Sequence, residues 1–261
     1  MMLGNQKPLK VLLLGGSSEA ALLAKRLAGM QGIAATLSLA GRTADPGHSP
    51  LPVRTGGFGG IAGLADHLAR EDIDLVIDAT HPFAATISNN AITACTRAQV
   101  PLLAIERPPW RKMAGDDWEE HGSVAEAVAA LPREPLKIFS GLGRQSIDAL
   151  CAAPQHHYLI RVIDPLAPPP GLPHATIITG RGPFRTDDDV MLFKAHGIER
   201  ILAKNSGGTA AYAKIEAARR LGLKVHIIRR PLIAERRTVP TVEDAMAWIR
   251  AHQSSRADRG V

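Results

Sequence analysis

Several short stretches of this chain bring together residue types that can do chemistry. An apolar run, Val11–Leu14, leads into Gly15-Gly16-Ser17-Ser18-Glu19-Ala20, and apolar residues then recur at helical spacing. A strand ending in a glycine turn and a helix N-terminus makes an anion site, because backbone N–H groups and the helix dipole converge there. The dinucleotide fingerprint G-x-G-x-x-G/A is met at Gly15 and Ala20, with Ser17 in place of the second glycine. A tight turn in any α/β protein would look similar. Its position at the first strand favours a pyrophosphate.

About twenty residues on, an enzyme that uses NAD places an acid for the ribose diol. Here the chain reads Ser38-Leu39-Ala40-Gly41-Arg42-Thr43, without an acid. Arg42 can make charge-assisted hydrogen bonds to a 2′-phosphate, which points to NADPH; a solvent-exposed loop arginine is the plainer reading. Gly56-Gly57-Phe58-Gly59-Gly60 offers a backbone that can lie flat on a ligand, with Phe58 for ring packing, or a simple surface turn. The expected strand Leu75–Ala79 delivers Thr80-His81-Pro82-Phe83 at its carboxyl end, where doubly wound sheets bind ligands. His81 can donate a hydrogen bond or a proton there, or only cap the next helix.

In the second half, three expected strands each end in a polar, glycine-containing turn. These are Gly141-Leu142-Gly143-Arg144, Gly180-Arg181-Gly182-Pro183-Phe184 and Lys204-Asn205-Ser206-Gly207-Gly208-Thr209. Together they suggest one sheet edge built for several carboxylates or phosphates. Asp187–Asp189 read as first-turn helix charges rather than metal ligands, and no metal site is expected. The chain has no nucleophile elbow, no HExxH and no Walker sequence, so hydrolase and NTPase readings have no support.

These turns must be positioned by a regular scaffold. Strands are expected at Lys10–Leu14, Ile33–Leu39, Leu75–Ala79 and Leu102–Ile105, with helices at Ser18–Met30, Ile61–Arg70 and Ala84–Arg97 between them. Residues 106–122 break the alternation, and Pro132 and Pro135 mark an expected boundary. Beyond it the alternation restarts and ends in a helix from Val242 to His252, followed by a polar tail expected to be disordered. The reading is α/β: two tandem Rossmann-like domains, 1–134 and 135–252, with helix-flanked parallel sheets and an interdomain cleft.

The 261 residues carry 31 Lys+Arg against 25 Asp+Glu, a formal +6. That balance makes nucleic acid the first suspect partner. Split at residue 134, however, the first part is −2 and the second +8, and aromatic residues are only 4%. Few stacking rings and no long basic run favour a compact anion in a pocket over a nucleic acid. Cys95 and Cys151 form no CxxC pair, which fits a reduced cytoplasmic setting. No apolar run approaches a membrane span. A monomer or small homo-oligomer is expected.

The run GGSSEA, SLAGRT, GGFGG, DATHPFA, ISNNA, ERPPW, GLGRQ, GPF, KNSGG and IRRP resembles the precorrin-6x reductase family of cobalamin biosynthesis, in order, over about residues 10–232. DATHPFA and GGFGG carry the resemblance; the other glycine turns are common. The family commonly has Thr where this chain has Ser17. The resemblance implies NADPH-dependent reduction of the precorrin-6A macrocycle to precorrin-6B, with hydride to C19 and a proton to C18. It implies that Gly15, Gly16, Ser17, Ser18, Glu19, Ser38, Arg42 and Thr43 meet the cofactor, joined by Gly57, Phe58 and Pro82. Thr80 and His81 would line the hydride-transfer region. Arg144, Arg181, Lys204, Asn205 and Ser206 would hold carboxylates of the tetrapyrrole. Another NADPH-dependent reductase of a small polyanion, or an NADP(H)-sensing binding protein without turnover, stays open as an alternative.

Overall fold

The computed structural model describes residues 7–41 and 47–258, with the side chains of 256–258 excepted. In chain order the first elements are β1 (Leu9–Leu14), α1 (Ser18–Ala28), β2 (Ile33–Leu39), β3 (Val53–Thr55), α2 (Gly60–Arg70), β4 (Leu75–Asp78), α3 (Ala85–Ala98) and β5 (Leu102–Ile105). Then come β6 (Asp117–His121), α4 (Val124–Ala129), β7 (Lys137–Ser140), α5 (Ile147–Leu150), β8 (His157–Val162) and β9 (Ala175–Thr179). The chain ends with α6 (Thr186–His196), β10 (Arg200–Lys204), α7 (Ala213–Leu221), β11 (Lys224–Ile228), β12 (Thr238–Val239) and α8 (Val242–Asp258).

Contacts divide the chain into unit 1, residues 1–107 with 232–261, and unit 2, residues 108–231. Unit 1 holds a six-stranded sheet in the order β12-β5-β4-β1-β2-β3. Every pair is parallel. Read from β3, this is the doubly wound order 3-2-1-4-5-6, whose switch point lies between β1 and β4. The central strands β1 and β4 are buried on both faces, and β1 shows why Val11–Leu14 is an unbroken apolar run. Val11 and Leu13 pack with Leu23 and Leu27 of α1 and Ala245 and Ile249 of α8. Leu12 and Leu14 face the other way, onto Leu64 and Leu68 of α2 and Ala91 and Cys95 of α3.

Unit 2 holds the order β6-β11-β10-β7-β8-β9, again all parallel. Its switch point lies between β7 and β10. Phe139, Ile201 and Val225 on one face pack against Phe193 of α6 and Ile215 and Ala218 of α7. On this sheet β6 takes the outer place that β12 takes in unit 1. The two units thus share a topology without a visible sequence repeat.

Three expectations are corrected. The boundary at Pro132–Pro135 falls inside unit 2, because β6 pairs with β11 in register Lys224↔Asp117 to Ile228↔His121. The stretch ending at 252 also belongs elsewhere, since β12 and α8 complete unit 1. The polar tail from Gln253 is helical through Asp258, held in part by Gln253 Nε2 donating to Gln31 O at 2.8 Å. These corrections redistribute charge. Unit 1 has 14 Lys+Arg against 12 Asp+Glu, and unit 2 has 17 against 13, so most of the expected asymmetry disappears. Among the described residues no helix is long and apolar enough to cross a membrane.

The Asp187–Asp189 run at the start of α6 does two different jobs. Asp187 pairs with Arg220 at the surface, 2.8 Å away, both side chains at least half exposed. Asp189 is buried and pairs with Arg161 of β8, whose guanidinium lies between the Phe139 and Phe184 rings. Breaking a buried pair strands a charge, whereas a surface pair contributes little. Asp189→Ala is expected to destabilise the protein by about 3–5 kcal/mol and Asp187→Ala by less than ~1 kcal/mol in urea unfolding.

Candidate active site

At the switch point of unit 1, the β1 turn is packed too tightly for a side chain at its first glycine. A Cβ on Gly15 would meet Leu37 Cδ1 at 2.5 Å, and its N–H donates to Ser38 O at 2.9 Å. Gly16 has φ +125 and open space where a side chain would be. Ser17, the departure from the fingerprint, works twice. Its Oγ caps α1 by accepting from Ala20 N at 3.1 Å, and it donates to Ala79 O at 2.7 Å. It therefore ties the carboxyl end of β1 to that of β4 across the divergence of their crossovers. The first-turn N–H groups of α1, beginning at Ser18, have no partner within the helix, as at every helix start. Glu19 is held by Arg107, just beyond β5, in a pair largely screened from solvent. Arg107 was not foreseen; it neutralises an acid that would otherwise repel a phosphate at this turn.

The second and third strands bring another arginine to their ends. Arg54 of β3 donates to Ser38 Oγ at 3.3 Å, Gly56 O at 2.6 Å and Gly57 O at 2.7 Å. Its guanidinium lies 3.8 Å from the centre of the Phe58 ring. Ser38, Gly57 and Phe58 are thus brought together around a residue the sequence did not single out. Its signal was hidden in β3, a three-residue edge strand. Arg42 and Thr43 lie outside the described residues.

Beyond β4, Asp78 organises the Thr80-His81-Pro82 turn. Its Oδ1 accepts from Thr80 N at 3.1 Å and Thr80 Oγ1 at 2.7 Å, and Thr80 Oγ1 lies 3.3 Å from Ser88 Oγ. His81 Nδ1 accepts from Phe83 N at 3.2 Å. That bond leaves the ring proton of neutral His81 on Nε2 and closes the turn itself rather than capping α3, whose N-cap Ala84 has no side-chain bond. Asp78 is 2% exposed, and its Oδ2 has no hydrogen-bond partner; neither has the buried Nε of Arg236. Both residues, with Thr80, His81, Pro82 and Ser88, line one small cavity of about 10 Å³.

In unit 2, Gly141 N donates to Leu202 O at 3.0 Å, and Lys204 Nζ donates to Leu142 O at 3.0 Å. Lys204 ties β10 to β7 at this switch point as Ser17 ties β1 to β4. Arg144 and Arg181 are exposed at the same carboxyl edge, after β7 and β9. Arg144 opens a 3-10 turn that precedes the short α5. Asn205 corrects its expected role. It is 8% exposed, its Oδ1 accepts from Trp110 N at 2.7 Å and its Nδ2 donates to Trp110 O at 3.0 Å. An amide engaged at both ends and buried positions the 108–110 segment rather than reaching for a ligand. Ser206 is 5% exposed and its carbonyl accepts from Arg230 at 3.2 Å, so it too is an internal part of the turn.

Lys214 sits beneath this edge, in the first turn of α7. It is 7% exposed, donates to Ala211 O at 2.6 Å and lies 5.0 Å from the centre of the Trp110 ring. Burial lowers its pKa from 10.5 to about 8; Asp189 opposes the shift and Arg161 adds to it. The unfolded chain binds this proton more tightly, so stability falls as pH drops from 10.5 through 8. Lys214→Met is expected to be more stable than wild type by up to about 3 kcal/mol at neutral pH, an advantage that fades toward pH ~10. Paired urea titrations across that range measure it. Ser17→Ala is expected to cost about 1–2 kcal/mol in the same assay, from the lost cap and the stranded Ala79 carbonyl.

Known proteins resemble this chain in sequence and fold. The chain is 48% identical over 252 residues to a precorrin-6A reductase of Rhodobacter capsulatus, covering 97% of this chain and 99% of that protein. It is 46% identical over 241 residues to one of Sinorhizobium sp, covering 92% of each. A solved structure described as CobK precorrin-6A reductase superposes with a TM-score of 0.89 at 49% identity, covering 93% of this chain and 96% of that one. Residues 10–250 match the model of the family described as precorrin-6x reductase CbiJ/CobK, and the chain belongs to that family.

Proposed function

We propose that this chain reduces precorrin-6A to precorrin-6B with NADPH, a hydride reaching C19 and a proton C18. The observation that carries this reading is the switch point of unit 1. There an open glycine turn and a helix N-terminus stand beside the Thr80-His81-Pro82 turn, tied together through Ser17 and Ala79. A bound nicotinamide nucleotide supplies the hydride. The N–H groups of Gly16, Ser17 and Ser18 hold the pyrophosphate, and the open space at Gly16 lets the phosphate approach the backbone. Ser38, Arg54 and Phe58 hold the adenosine end, with Arg42 and Thr43 completing the 2′-phosphate contacts. Glu19 serves through Arg107 rather than by touching the cofactor.

His81 presents Nε2–H as the proton donor, and Thr80, fixed by Asp78, sets the turn that aims it. Arg144, Arg181 and Lys204 hold the acetate and propionate carboxylates of the ring. Asn205 and Ser206 shape the turn that presents Lys204. The metal-free ring is favoured because relatives named precorrin-6A reductase are 39–48% identical. A cobalt-precorrin-6A reductase of Methanothermobacter thermautotrophicus is 27% identical.

The test is direct. Mixing precorrin-6A, NADPH and protein should bleach nicotinamide absorption in step with a change in the macrocycle spectrum. No change with active substrate overturns the reading. Arg42→Ala should raise KM for NADPH ~10-fold or more with little effect on NADH, whereas Arg54→Ala should raise KM for both. An unchanged preference removes the phosphate assignment. His81→Ala should lower kcat about 100-fold and change the pH profile. A normal rate and profile would dismiss its acid role.

A further inference from the structure

β6 and β11 run side by side at the edge of the unit 2 sheet, with His226 paired opposite Glu119. Side chains alternate between faces, so Glu119, His121 and His226 share one face. His121 Nε2 and His226 Nδ1 face each other at 3.1 Å, and Glu119 Oε1 lies 3.8 Å from His121 Nε2. One ligand atom from each residue lies within 4.8 Å of the others. The two histidines are 7% and 2% exposed, while the Glu119 side chain is 43% exposed. Two nitrogen donors are therefore held in place by the core, and one carboxylate can swing in from the solvent side.

We propose that Glu119, His121 and His226 form a binding site for one divalent transition-metal cation of the zinc type. Two imidazole nitrogens and a carboxylate are a borderline donor set, which zinc, cobalt and nickel accept and which magnesium and calcium, as oxygen seekers, do not. A tetrahedral ion about 2.0–2.1 Å from both nitrogens needs them about 3.3 Å apart. They are at 3.1 Å already, with ring centres 5.2 Å apart and planes inclined by 24°. Loading tilts the rings out of line and opens that gap by a few tenths of an ångström. His121 is the last residue of the outer strand, where such movement is easiest. Both facing nitrogens then present lone pairs, with the ring protons on His121 Nδ1 and His226 Nε2. Three protein ligands leave a fourth position on the exposed side for water.

The surrounding charge limits the affinity. Lys224 Nζ lies 3.7 Å from Glu119 Oε2 and must be released, and Lys224 and Arg200 both place positive charge near His226. A metal bound here would join β6 to β11 by coordination, independently of the reductase reading.

The experiment titrates metal-free, untagged protein with Co²⁺ alone, reading its visible absorption, and then adds Zn²⁺. One equivalent should bind with a dissociation constant on the order of 1 μM. Zn²⁺ should displace it and raise the unfolding midpoint by several degrees. His121→Ala and Glu119→Gln, both at the sheet edge, should each weaken binding at least 10-fold while leaving precorrin-6A turnover unchanged. Absence of saturable binding overturns the site, and so does affinity that survives either substitution unchanged.

Discussion

Every strand in each sheet runs in one direction, and most of the functional geometry follows from that. Parallel strands need helical crossovers, so both sheet faces are covered and carry mainly apolar packing, with the Arg161–Asp189 pair and the Glu119–His121–His226 group as exceptions. Exposed polar turns gather at the sheet ends, with helix N-termini at the carboxyl end. In unit 1 that edge carries Gly15–Ser18, Ser38 and Thr80–His81; in unit 2 it carries Gly141–Arg144, Gly180–Arg181 and Lys204–Ser206. The distribution of these residues along the sequence looks scattered. The shared strand direction makes it one row in each sheet.

Within each row, the switch point is the place where crossovers leave on opposite faces and the edge would gape. Both units bridge it with a side chain that donates to a backbone carbonyl of the neighbouring turn. In unit 1 the bridge is Ser17 to Ala79, and in unit 2 it is Lys204 to Leu142. The two bridges differ in chemistry. A serine is small and leaves the backbone of the turn uncovered. A lysine brings a positive charge to the edge. The same topological gap is thus bridged by a neutral side chain in one unit and by a cation in the other.

Much of this scaffold was legible in the sequence. β2 and β5 coincide with the apolar runs at Ile33–Leu39 and Leu102–Ile105, and β1 and β4 differ by one residue from the strands expected at Lys10–Leu14 and Leu75–Ala79. What escaped has a common physical cause. β3, β6 and β12 are outer strands, partnered on one side only, and an outer strand needs no apolar run. β6 reads Asp-Trp-Glu-Glu-His and buries only Trp118 and His121. Missing β6 misplaced the boundary, and missing β3 hid Arg54. Asn205 shows a different limit. A polar residue in a glycine-rich turn looks the same whether it faces a ligand or its own chain, and here the backbone of Trp110 claims it.

The chain leaves unit 1 at residue 107 and returns to it only at 232. One face of its sheet is covered by Ala245 and Ile249 of α8, and its outermost strand, β12, is likewise made last. During synthesis, the glycine turn near the N-terminus emerges early, but the part of its sheet that α8 covers stays bare. That sheet is completed only after the whole of the intervening unit has left the ribosome. A prematurely stopped chain therefore leaves the apolar surface beneath α8 uncovered.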